Sequence, residues 1–275
     1  MEKEKIFKAL RAMCNKLIQD GHEVYVIYLQ GSQNYGLDVS TEEYQSDIDA
    51  KAFVYPSLED LYRGKKISKT YETEYGQIEV KDLRCLPELL VKMNSTYLEL
   101  LYTPYYICDD IKDPFRHWRD QLVEERKQLL FQTLHGTLGQ KKDNLCNERP
   151  GAEAALKKFG GYDPKELHHE LRLLFMMQML QLGFSYEKVL FLPESMRESL
   201  INIKVHGVGS LETAVSLSKT YKADADIILN EVWPKGTDPI FKNDALNAIE
   251  EKVHEIVINH LSPHPCSCPC DCSEE

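Results

Sequence analysis

Two runs decide the fold: Val24-Tyr25-Val26-Ile27-Tyr28-Leu29-Gln30-Gly31-Ser32-Gln33-Asn34-Tyr35-Gly36, then Ser46-Asp47-Ile48-Asp49-Ala50-Lys51-Ala52-Phe53-Val54. The apolar residues Val24 to Leu29 predict a buried strand. Gly31 lets the backbone turn tightly and approach a ligand with no Cβ in the way. Ser32 adds a hydroxyl and a backbone N–H at the mouth of the next element, where successive N–H groups can cradle phosphate oxygens. The second run predicts another strand, from Asp47 to Val54. Strand side chains alternate faces, so Asp47, Asp49 and Lys51 share one side while Ile48, Ala50 and Ala52 take the other. Two carboxylates that close repel each other unless a cation lies between them, so this spacing suits oxygen-ligated Mg²⁺. Lys51 could meet a phosphate or form a plain ion pair, and Tyr35 could stack on a nucleobase or simply pack beside the loop. A phosphate-cradling Gly-Ser beside Asp-x-Asp is an arrangement for phosphoryl transfer.

Gly31-Ser32 followed by Asp47-x-Asp49 on the next strand resembles the nucleotidyltransferases of the DNA polymerase β superfamily. The strings GSQNYGLD (31–38), SDIDAKAFVYPSLEDL (46–61) and EVKDLR (79–84) resemble its bacterial and phage branch, which includes a group associated with RNA ligases. The resemblance implies an α/β (α+β) protein, a small mixed-sheet nucleotidyltransferase core followed by an α-helical domain. It also implies Mg²⁺- or Mn²⁺-dependent transfer of a nucleoside monophosphate from an NTP, with ATP the expected donor, to a hydroxyl acceptor with release of pyrophosphate. Asp47 and Asp49 would hold metal, and Gly31 and Ser32 the triphosphate. Relatives place a third carboxylate on a neighbouring strand, completing the metal site and assisting as base. Glu79 matches that position by strand parity within Gly76 to Lys81. Asp82 is its rival, on the parity of Ile78 and Val80, and reads as the N-cap of a helix from Leu83 to Met93 with Asn94 as C-cap. Glu99 is assigned to the fold rather than the reaction.

Further along, Gly161-Tyr162-Asp163-Pro164 opens a helix on which Lys165, His169 and Arg172 stand at i, i+4 and i+7, within one narrow stripe. Lysine and arginine grip phosphates, and histidine can donate to one or contact a base. The bland alternative is a solvated charged face. The string Lys-x-x-x-His-x-x-Arg after Gly-Tyr-x-Pro is similar to the family's helical region, which favours a nucleotide clamp; His168 is a weaker candidate.

The 275 residues, 43% hydrophobic and 28% charged, suit a globular protein of one large or two ordinary domains. The charged start Met1-Glu2-Lys3-Glu4-Lys5 lacks a signal-peptide core, and no apolar run spans a membrane, so the expected location is cytoplasmic. A net charge of −11 argues against strong non-specific binding to nucleic acid, leaving room for a local basic groove. Composition turns helical after Asp113, which sets expected boundaries at 1–112 for the core and 113–261 for a helical domain closing the cleft. The segment Phe115 to Phe131 reads as one amphipathic helix with its arginines in solvent. Residues 262–275, rich in cysteine and proline, read as a disordered tail, with soft-metal binding the lesser reading. The acceptor stays open between an RNA end, a protein hydroxyl and a small molecule. A non-catalytic nucleotide sensor or protein-binding module is the alternative of a different class.

Overall fold

A computed structural model describes residues 3–39, 46–238 and 241–262. The expected tail, apart from Ser262, lies outside them. The protein is α+β, with strands in the first half and helices after. Strands β1 (Val24–Gln30), β2 (Asp49–Val54), β3 (Ser68–Glu72), β4 (Gln77–Asp82) and β5 (Tyr106–Cys108) form one sheet in the order β3-β4-β2-β1-β5. Only β2 and β4 run parallel; the other neighbours are antiparallel. The helices are α1 (Lys3–Gln19), α2 (Leu58–Tyr62), α3 (Leu86–Leu90), α4 (Ser95–Leu98), α5 (Arg119–Glu125) and α6 (Lys127–Asn144). Then come α7 (Glu153–Lys158), α8 (Pro164–Gln181), α9 (Tyr186–Leu190), α10 (Glu194–His206), α11 (Leu211–Val232) and α12 (Asp244–Leu261). No helix among the described residues is long and apolar enough to cross a membrane.

The period of two in the strands sorts the sheet into two faces. Ile27, Leu29, Ile48, Ala50, Ala52, Ile78 and Val80 pack against Ile6, Leu10, Met13 and Leu17 of α1. The opposite face carries Val26, Tyr28 and Phe53, which join one apolar cluster running through α3, α5, α6 and the helices α8 to α12. Strand segment and helical segment therefore share a core. Helix α8 lies at its middle, packed on α6, α9, α10 and α11. It runs unbroken from Pro164 to Gln181.

Two expected helices are interrupted, each for a local reason. The segment from Leu83 begins as a 3₁₀ turn to Cys85, capped by the Asp82 carboxylate, and restarts as α3 with Pro87 in its first turn. Proline has no N–H to continue the ladder from the turn before it. Asn94 is then the N-cap of α4, accepting from the Thr96 N–H at 3.0 Å, and not a C-cap. The second interruption is at Arg126, between α5 and α6. The arginines there are not a solvated face. Arg116 and Arg119 donate to the Thr103 and Leu101 carbonyls, and buried Arg126 donates to the Val91 carbonyl at 3.0 Å and to Asn243. Carbonyls at helix ends lack intrahelical donors, and these guanidinium groups supply them.

Candidate active site

The turn after β1 is built by its own polar side chains. Gly31 has φ 98°, a conformation that costs a residue with Cβ, and Ser32 to Asn34 form a 3₁₀ turn. The Tyr35 and Leu37 N–H groups both donate to the Ser32 carbonyl, at 3.1 and 3.0 Å. Buried Asn34 donates from Nδ2 to the Leu29 carbonyl at 2.9 Å. Buried Gln33 donates from Nε2 to the carbonyls of Ser46 and Asp47, stitching the turn to the segment that carries the aspartates. The first N–H groups of so short a turn have no carbonyl partner within it, which leaves them free for an acceptor.

Asp47 is exposed just before β2, which starts two residues later than the sequence suggested, and Asp49 opens the strand. Asp49 Oδ1 accepts from the Gln77 N–H at 3.0 Å. Gly76 makes that approach possible: a Cβ there would stand 2.6 Å from the Ile48 carbonyl oxygen and 2.9 Å from Asp49 Oδ1. Lys51 and Glu79 lie opposite each other across the parallel ladder and are bonded, Lys51 Nζ to Glu79 Oε2. Glu79 Oε1 accepts from the Tyr97 hydroxyl at 2.8 Å and faces Lys81 Nζ at 3.0 Å. Lys51 is buried, its ammonium 4.4 Å from the Tyr97 ring centroid, and burial brings its pKa down to about 8.

A cavity of about 380 Å³ opens between this edge of the sheet and the helices, a volume suited to a small ligand. Gly31, Ser32, Asp47 and Asp49 line one side. Lys165, His168, His169 and Arg172 of α8, Lys141 of α6 and Lys204 of α10 line the other. Lys51 and Glu79 are not on its wall. The stripe read from helical spacing thus does face a cavity, and the two further lysines come from helices in which the sequence offered no signal.

The charges on the helical wall are not what residue type alone suggests. Burial, then His168, holds His169 well below the ordinary imidazole range. Burial also brings His168 down to about 4, and its Nδ1 lies 2.8 Å from the Leu200 carbonyl. A carbonyl only accepts, so Nδ1 carries the proton and Nε2 is left as an acceptor. Arg172 is engaged: Nη2 donates to Glu99 Oε1 at 3.0 Å, and the guanidinium lies 4.0 Å from the Tyr35 ring centroid. Burial works against its charge, but the Glu99 carboxylate beside it more than offsets that and keeps its pKa raised. Tyr35, 6% exposed, donates its hydroxyl to the same Glu99, so the ring supports Arg172 from beneath. The other cations on this wall are Lys141, Lys165 and Lys204. Lys141 also lies 3.3 Å from Glu166, and Lys204 donates to the Leu37 carbonyl at 3.1 Å.

Among the described residues, no three carboxylate, histidine or cysteine side chains gather closely enough to ligate one ion together. The donor chemistry of Asp47 and Asp49 fits a hard divalent cation, with hard oxygens on the wall of a cavity that leaves room for water and phosphate oxygens. Glu79, with both oxygens engaged by lysines and a phenol, does not fit as a third ligand. Compared with protein-family models, with curated proteins and with solved structures, the chain matches none.

Proposed function

We propose that the chain is a nucleotidyltransferase that moves a nucleoside monophosphate from an NTP, ATP first among them, to a hydroxyl acceptor and releases pyrophosphate. The observation that carries this reading is the opposition of two walls across one cavity. Gly31, Ser32, Asp47 and Asp49 face Lys141, Lys165 and Lys204. A polyphosphate carrying a divalent ion needs both: ammonium groups for its oxygens and carboxylates for the ion. Mg²⁺ or Mn²⁺ held by Asp47 and Asp49 would supply Lewis-acid polarisation of a phosphoryl oxygen.

The chain's own groups do the remaining work. The Ser32 hydroxyl and the free N–H groups of its turn donate to phosphate. The lysines neutralise the triphosphate from the far side, with Lys165 the most exposed of them. His168 Nε2, an acceptor, suits a sugar hydroxyl or a base amino group better than a phosphate. The acceptor class is left to experiment among an RNA end, a protein hydroxyl and a small molecule.

The test is incubation with Mg²⁺ or Mn²⁺, each labelled NTP in turn and total cellular RNA, following label into RNA, protein and small molecules. Label in one fraction, absent with the Asp47→Asn/Asp49→Asn variant, is the expected result and names the acceptor class. The engaged state of Glu79 favours a second reading, a nucleotide-binding module without turnover. Metal-dependent NTP binding with no label in any fraction would select it.

A further inference from the structure

We propose that Lys51 is a fixed second positive charge in this site, so that a divalent ion is held by Asp47 and Asp49 while Glu79 serves Lys51 and not the ion. This rests on the nucleotidyltransferase reading and deepens it: one divalent cation and one built-in ammonium in place of two ions.

The register carries the argument. In the parallel ladder Lys51 stands opposite Glu79, while the Asp49 carboxylate bonds the Gln77 N–H. Gln77 precedes Glu79 by two residues, so Glu79 lies roughly 7 Å further along the sheet at strand rise. Lys51, Glu79 and Tyr97 then close on one another. Glu79 Oε2 receives the Lys51 ammonium, Oε1 receives the Tyr97 hydroxyl at 2.8 Å, and the ammonium lies 4.4 Å from that same ring. Lys81 Nζ, 3.0 Å from Oε1, adds a second cation. For Glu79 to turn to a metal, it would have to leave the Lys51 ammonium, only 6% exposed, without its bonded carboxylate. An uncompensated buried charge is the unfavourable outcome of breaking such a pair. Lys51 is therefore a positioning residue: it shares the strand face of Asp49 and acts from behind the carboxylates without lining the cavity.

The experiment titrates Mn²⁺ alone into the full chain, counting free ion by electron paramagnetic resonance, with thermal melts to confirm folding of each variant. Asp49→Asn is expected to weaken Mn²⁺ by on the order of tenfold or more. Glu79→Gln, which still accepts from Tyr97, is expected to bind Mn²⁺ within about twofold of wild type. Because that variant leaves Lys51 unpaired, Lys51→Met/Glu79→Gln, which removes both charges, is measured beside it with the same expectation. A loss in Glu79→Gln and in the double variant as large as in Asp49→Asn overturns the proposal. A second Mn²⁺ in wild type that disappears with Glu79 also overturns it. Absence of Mn²⁺ binding by the wild-type chain is a different failure, since it removes the metal reading beneath both proposals.

Discussion

Arg172 and Glu99 form a buried ion pair 73 positions apart in sequence, with Tyr35 hydrogen-bonded to one and stacked under the other. Arg172→Ala would leave Glu99, 8% exposed, without its cation, at a cost of about 3–5 kcal/mol. Arg172→Met/Glu99→Gln removes both charges and should recover most of that loss, and urea unfolding of the two variants is the check. Helical spacing put Arg172 on the right stripe, but periodicity speaks only of geometry within one helix, so the partner was out of its reach. Lys141 and Lys204 escaped for a related reason: a lone lysine on a charged helix face has no pattern to set it apart. Lys165→Ala/Lys204→Ala should raise KM for ATP with a smaller effect on kcat, because ground-state phosphate contacts act on both states alike. Asp47→Asn and Asp49→Asn should each abolish label transfer while melting like wild type. Gly76→Ala should weaken Mn²⁺ without touching a ligand, since its new methyl group would displace the Ile48 carbonyl or Asp49 itself. Unchanged Mn²⁺ affinity in that variant would mean that Asp49 is not held by this contact.

At the scale of elements, β1 was legible as an unbroken apolar run, and β2 and β4 by the alternation of their side chains. The start of α8 was legible by its Asp-Pro opening and the helical spacing of its polar stripe. Strand β3, Ser68-Lys69-Thr70-Tyr71-Glu72, was not: as an edge strand with four of five residues exposed, it carries no apolar alternation to read. Strand β5 has three residues, too few for any period. The aspartate caps were read directly. Asp163 accepts from the Lys165 N–H at 2.9 Å and also receives Arg149 at 2.7 Å. Because α8 brings Lys165, His168, His169 and Arg172 to the cavity, Asp163→Ala should lower stability by about 1 kcal/mol or more. Nucleotide affinity should fall with it, in calorimetry against a fluorescence-monitored melt.

For the whole molecule, α8 carries opposing proton linkages. His168 is lowered from an ordinary 6.5 to about 4, so the unfolded chain binds the extra proton, and stability is lost as pH falls from 6.5 towards 4. Burial also lowers His169 well below its ordinary value, and it acts the same way. Glu170 is raised from 4.5 to about 7, chiefly by burial, so its contribution is lost as pH rises through that window. Two imidazoles outweigh one carboxyl below 6.5, and the carboxyl alone acts just above it. Urea midpoints should therefore rise from about pH 5 towards neutrality and slip slightly beyond, and Glu170→Gln should remove the slip and steepen the rise.

One apolar cluster runs from the sheet through α5, α6 and the helices α8 to α12. Spreading the two walls would expose packed side chains, so the shared core resists widening of the gap between Asp47 and Lys165. A gap of fixed width is a ruler. It measures the length of whatever bridges it, and a chain of three phosphates differs from two by more than one base differs from another. Discrimination in this cavity would then fall on phosphate number before base identity.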